Sequence, residues 1–149
     1  EWIRNLAANT QALPIERLIA TRNRMKAVLP DADVSDYHSL IQDLHLPDPD
    51  DRHVLAAAIA GKASLIVTWN LRDFPARDLA SYGVASQSPD DFLIGLHEAF
   101  PEALISSIKR ARHNLRKTMP SVEAFIDGLQ QSGLKAFPAL LRHNIDALA

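Results

Sequence analysis

The sequence predicts an α/β fold with a parallel sheet, followed by a helical appendage over 101–149. Three observations point that way. HVLAAAIA (53–60) is a compact alanine-rich helix, and SLIVT (64–68) just after it is short, β-branched and apolar, as a buried strand would be. A second short strand candidate, 84–87, follows after one turn and a single helical turn. Strands that alternate with helical segments pair in parallel through crossovers. The periodicity after residue 100 is helical throughout. A chain of 149 residues suits one α/β domain, 1–100, with the segment 101–149 packed on it.

The elements follow in order. EWIRNLAANTQA (1–12) reads as a helix with Trp2 and Leu6 on one face. After Pro14 a second helix runs to about Val28, with Ile15, Leu18, Ile19 and Met25 near helical spacing. Pro30 and an aspartate run break it. A short helix is expected near 36–43, and LPDPDD (46–51) reads as a turn. Gly61 is a stop signal for the helix 53–60. WNLRDFP (69–75) is a polar turn ending at proline, and 78–82 is one helical turn. Ser88-Pro89-Asp90-Asp91 is a helix start, with serine as N-cap and proline in the first position, opening a helix to Ala99. Further on, Leu104, Ile108, Ala111 and Leu115 form one stripe over 101–117. Ser121 caps a helix carrying Val122, Phe125, Ile126 and Leu129, and Gly133 ends it. Phe137, Leu140, Leu141, Ile145 and Leu148 share a face of the last helix, 134–148.

Composition narrows the function classes. The chain has no cysteine, which excludes disulfides, thiolate zinc sites, iron–sulfur clusters and a cysteine nucleophile. No apolar run approaches the ~18 residues of a membrane span, and the N-terminal stretch is not a signal peptide, so a cytoplasmic protein without membrane partners is expected. Walker, GxGxxG and Ser-His-Asp patterns are missing, which argues against P-loop enzymes, dinucleotide binders and serine hydrolases. Residues 1–100 carry 9 basic and 14 acidic groups, whereas 101–149 carry 7 and 4. The sharpest feature is 31–51, with seven aspartates and no Lys or Arg. Such a run is usually a solvated loop, and it is also a place where a divalent cation offsets repulsion.

Three acidic positions stand out. Asp51 lies at the mouth of the helix 52–60, where it would cap the helix or serve a site. Asp73 lies just beyond the carboxyl end of the strand 64–68, where open parallel sheets place their ligand crevice. Asn70 and Asp73 equally suit turn chemistry. Glu1 starts an amphipathic helix, where it also favours the helix dipole. Converging carboxylates repel unless a proton or cation intervenes. Oxygen-only ligands favour Mg²⁺ or Mn²⁺ over zinc.

PDPDDRHVLAAAIAGKASLIVTWNLRDFP (47–75) resembles the second half of a PIN domain, the VapC-like ribonuclease family. The resemblance rests on D-x-x-V-L-A-A-A followed by a strand and T-x-N-x-x-D-F, and extends through GVASQSPDDFL (83–93). It implies a three-layer α/β/α arrangement with a parallel sheet, and it matches the appended helices to a bacterial PIN subgroup. It implies a Mg²⁺- or Mn²⁺-dependent RNA endonuclease, the toxin half of a toxin–antitoxin pair. Glu1, Asp51 and Asp73 map onto the metal-binding acids, with Asn70 beside them in the catalytic set. Thr68 maps beside them as a supporting polar group and a substrate-side candidate; apart from the resemblance, Trp69 is a second substrate-side candidate by its place beside the proposed site, able to stack on a base or simply to pack. RNA, an antitoxin protein and a second copy of the chain are the implied partners. The family's first strand ends in an aspartate, and the expectation is that a segment before Glu1 supplies it. A non-catalytic PIN-like module that binds RNA or protein is the competing reading.

The remaining polar residues carry weaker signals. His38, His45, His53, His97, His113 and His143 show no metal-binding spacing, although His53 stands two residues from Asp51. Lys109, Arg110, Arg112, Arg116 and Lys117 form the most basic stretch, able to track a phosphate backbone or to serve as a solvated helix face.

Overall fold

A computed structural model describes residues 14–115 and 118–148, which form two compact units. The expected helix 1–12 and Glu1 lie outside the described residues. One unit comprises residues up to Leu44 together with Asp50–Ala63, and the other comprises His45–Pro49 and Ser64 onward.

In the first unit, α1 spans Ile15–Val28, with Glu16 in its first turn and Lys26 in its last, each complementing the helix dipole. Leu18 is its one buried residue, while Ile15, Ile19 and Met25 are exposed. The apolar spacing that predicts this helix therefore buries less than it suggests. Residues Pro30–Ala32 and His38–Asp43 form 3₁₀ turns rather than α-helix. α2 spans Arg52–Ala60, and Leu55, Ala56 and Ala58 are buried on the face that meets the His38–Asp43 turn. Alanines suit that face because they let backbones approach closely. Gly61 follows α2 at a crowded point, where a Cβ would stand 2.8 Å from Val34 Cγ2.

In the second unit, β1 (Leu65–Val67) pairs in parallel with β2 (Ala85–Gln87), Ile66 opposite Ser86. Between them lies α3 (Ala76–Leu79). The parallel α/β unit predicted from the sequence is thus present, with two strands among the described residues. Pleating alternates the side chains, so Ile66 is buried and Val67 is 42% exposed. β1 is therefore half-buried rather than fully buried. The Ser86 hydroxyl donates to the Phe74 carbonyl at 2.7 Å, tying β2 to the loop that follows β1.

Four helices complete this unit: α4 (Pro89–Ala99), α5 (Pro101–His113), α6 (Val122–Gln131) and α7 (Ala136–His143), followed by a 3₁₀ turn at Ile145–Leu148. The Ser88 and Ser121 hydroxyls cap α4 and α6, each accepting a first-turn amide at 3.1 Å. Gly133 leaves α6 at φ 105°, a left-handed conformation that glycine adopts without strain. Ile126, Leu134, Phe137, Leu141 and Leu148 form the buried core. Leu93 and Ile94 of α4 and Leu104, Ile105 and Ile108 of α5 pack against it. The expected α5 stripe shifts accordingly: Ile105 faces the core, whereas Ala111 is exposed and Leu115 lies beyond the helix.

Asp90 does more than open its own helix. Its carboxylate accepts the amides of Lys135 (3.0 Å), Ala136 (2.7 Å) and Phe137 (2.9 Å), and so caps α7 from α4. Burial pushes the Asp90 carboxyl up, but the amides of Ala136, Phe137 and Lys135 outweigh that effect and hold it below the usual carboxylate range. A lowered folded-state pKa gives stability that is present above the unfolded value and lost as pH falls through the folded one. Asp90→Ala is expected to cost about 1–2 kcal/mol at pH 7. Thermal melts between pH 6 and pH 2.5 should show the wild type losing that margin in acid, with the two proteins converging. An unchanged gap at the lowest pH would show that the contribution is not ionic.

Candidate metal centre

The chemistry-bearing residues of the second unit gather at the carboxyl end of β1. Thr68 prolongs the ladder, its amide donating to the Gln87 carbonyl at 3.0 Å. The chain then turns: the Asn70 amide donates to Thr68 Oγ1 at 3.1 Å, and Leu71–Asp73 form a 3₁₀ turn. The Asn70 side-chain amide donates to Asp73 Oδ2. Asn70 thus orients the Asp73 carboxylate, the role its position beside the acids suggests. These bonds are the turn chemistry that the sequence suggests for Asn70 and Asp73.

Asp73 is 8% exposed and is the one buried charged residue among the described residues. The Arg72 guanidinium stands 3.6 Å away with a side chain 90% exposed, so water screens most of that attraction. A carboxylate oxygen of Asp48 lies within 4.8 Å of one of Asp73. Two carboxylates at that separation repel by about 1 kcal/mol even at the dielectric of water, and by more when one is buried. Hard oxygen donors held close together suit Mg²⁺ or Mn²⁺. Asp48 is the residue that the sequence leaves undistinguished, as one of seven aspartates in a polar run.

Asp51 belongs to the first unit and occupies the N-cap position of α2. Its backbone is in the right-handed helical region (φ −85°, ψ −7°), continuing the Pro49–Asp51 3₁₀ turn. A capping side chain needs an extended backbone to reach the first-turn amides, and the Asp51 side chain makes no such capping bond. His53 Nδ1 lies 2.6 Å from the Asp50 carbonyl, a local contact within the same turn.

The substrate-side candidates divide. Thr68 is taken up by the turn, whereas Trp69 is 56% exposed. In the basic stretch, Arg112 points inward and donates to the Pro120 carbonyl at 3.2 Å and to the Leu148 carbonyl at 3.0 Å, anchoring the C-terminal turn. Lys109, Arg110 and His113 share its helix, while Arg116 and Lys117 lie outside the described residues. Among the described residues, no helix is long and apolar enough to cross a membrane.

Two family models and one curated relative match the chain. Residues 3–72 match the PIN domain family, and residues 89–143 match the VapC50 C-terminal domain. A protein of Mycobacterium tuberculosis (strain ATCC 25618 / H37Rv) named "Putative ribonuclease VapC50" is 47% identical over 53 residues. That alignment covers 36% of this chain and 31% of the relative, so the chain spans about a third of the curated protein it matches. No solved structure matches the chain. The two family matches run along most of the sequence, one through the first strand-and-turn region and one through the helical part, and the chain is a VapC-like PIN-domain protein.

Proposed function

We propose that the protein is a Mg²⁺- or Mn²⁺-dependent endoribonuclease acting as the toxin of a toxin–antitoxin pair. The observation that carries this reading is the buried Asp73 carboxylate, oriented by Asn70 and facing Asp48. Asp73 would hold the metal, together with Asp51, which stands three residues after Asp48 in the chain, and Glu1. Asp48 joins the set as a further acidic donor. When bound, the ion supplies an activated water and offsets charge on the phosphoryl group.

The chain's own residues supply position. Asn70 fixes the Asp73 carboxylate so that less ordering is required when ligands arrive. The ladder bond at Thr68 holds the start of the turn against β2. Trp69 faces the substrate side. The fold proposed with this function is the three-layer α/β/α PIN arrangement over 1–100, with 101–149 as its helical appendage. RNA, an antitoxin and a second copy of the chain are the proposed partners, in the cytoplasm. The PIN match and the ribonuclease name of the relative support this reading.

Cleavage of a fluorescent single-stranded RNA in Mg²⁺, in Mn²⁺ and in chelator tests it. Metal-dependent cleavage is expected. RNA binding without cleavage in either metal would favour a non-catalytic module. Metal binding itself is read by heat. A ligand that binds the native state at a hundredfold over its Kd stabilises by about 2.7 kcal/mol. Millimolar Mn²⁺ should therefore raise the melting temperature by several degrees in the wild type and leave Asp73→Asn unmoved. Equal shifts in both proteins would place the ion elsewhere.

A further inference from the structure

The turn that carries Asp73 is tied to β2 at both ends. At its start the Thr68 amide donates to the Gln87 carbonyl at 3.0 Å, and at its end the Phe74 carbonyl accepts the Ser86 hydroxyl at 2.7 Å. Between these ties stands Trp69, next to Asn70, whose side-chain amide orients the Asp73 carboxylate. The Trp69 Cζ2 and Cη2 atoms approach the bend between α6 and α7, 3.6 Å from the point a Cβ would occupy on Gly133. Just beyond that glycine, Asp90 accepts the amides of Lys135, Ala136 and Phe137. Asp90 itself stands three residues after Gln87, in the first turn of α4. A path from β2 through Asp90 to the bend, and through Trp69 to the turn, therefore closes on itself.

A local cap suffices to satisfy first-turn amides, as Ser88 and Ser121 do for α4 and α6. Lys135, at the N-cap position of α7, makes no side-chain capping bond, and the amides are served from α4 instead. A remote carboxylate caps the helix and also fixes where the bend sits relative to the end of β2. An ionised acceptor holds amides roughly twice as strongly as a neutral one. Metal donors depend on the groups that orient them, and loss of such a group typically costs ~10–100-fold in metal affinity. We propose that Asp90 is a positioning residue for the Asp73 carboxylate, acting through the Gly133 bend and Trp69, so that the helical segment is a working part of the metal centre. This rests on the metal-binding reading above, and it adds a residue outside the acidic set.

In a Trp2→Phe background Trp69 is the sole tryptophan, and its emission and acrylamide quenching report on the turn. Manganese binding is read apart from cleavage, by the electron paramagnetic resonance signal of free Mn²⁺. Both are measured well below the melting temperature, with the fold checked by circular dichroism. Asp90→Ala should shift Trp69 emission to the red and raise its quenching, and should weaken Mn²⁺ binding by about tenfold, the lower end of what an orienting group contributes. Ile108→Val trims the same helical core from α5 and leaves every bond of the path in place, so both readouts should match the parent. An unmoved Trp69 signal in Asp90→Ala, or equal changes in the two variants, would overturn the proposal. A Trp69 response in Asp90→Ala with no Mn²⁺ bound by the parent would leave the link from Asp90 to the turn standing and sink the metal reading. Mn²⁺ bound equally well by the parent and Asp90→Ala would leave the metal reading standing and sink the positioning role.

Discussion

Asp73→Asn is expected to lower RNA cleavage by at least roughly 100-fold while leaving the fold intact. Changes to groups that merely orient a metal ligand typically cost ~10–100-fold, so loss of a ligand's charge should cost at least the upper end. The amide is nearly isosteric with the carboxylate. It can turn its oxygen toward the Asn70 side-chain amide and keep the bond that Asp73 now accepts. Stability in chelator should hold steady or rise slightly, because the substitution removes one of two carboxylates within 4.8 Å of each other. Lost activity with unchanged or improved stability is the mark of a site that is strained for function. A variant that cleaves at the wild-type rate would make Asp73 a structural residue. Asp51→Asn should show the same loss of activity. Asn is nearly isosteric with Asp, and circular dichroism of the variant is expected to match the wild type.

The largest expected effect on stability lies in the helical core. Phe137 is fully buried among Ile126, Leu134, Leu141 and Leu148. Phe137→Ala removes an aromatic ring from the junction of several helices, where collapse into the gap is limited by backbones that are already pinned. A cost of about 3–5 kcal/mol is expected. For a chain of this size that corresponds to a fall in melting temperature of about 10 °C. Phe137→Leu should recover most of it. A loss below about 1 kcal/mol would mean that the core relaxes around the vacancy or is not formed as described. Asp90 holds the amide of the same residue, so double substitution of Asp90 and Phe137 should cost less than the two single losses added.

How far the site could be read from the sequence depends on the range of each interaction. Asp73, Asn70 and Thr68 lie within six residues after one strand, so the turn that brings them together is encoded locally. Ser88 and Ser121 are also local signals, and both make the caps their sequences suggest. Asp48 is different. Nothing in a run of seven aspartates marks which one meets a buried partner 25 residues later. Asp90 reads locally as a first-turn acid of α4, yet its carboxylate is spent on amides 45–47 residues away. The approach of Trp69 to Gly133 is equally non-local, ring atoms standing 3.6 Å from where a Cβ on that glycine would lie. Periodicity misleads for α1, where apolar spacing is present but Leu18 alone is buried. Spacing reports which residues share a face, and it is silent on whether another element covers that face.

The position of the metal is decided most directly by anomalous scattering at the manganese edge from crystals grown with Mn²⁺. Density is predicted within ligand distance of the Asp73 carboxylate and on the side that Asp48 faces, and it should be lost in Asp73→Asn. Manganese bound elsewhere with the Asp73 carboxylate left bare, or no bound manganese in crystals of a protein that cleaves RNA, would contradict the assignment of this site as the metal centre.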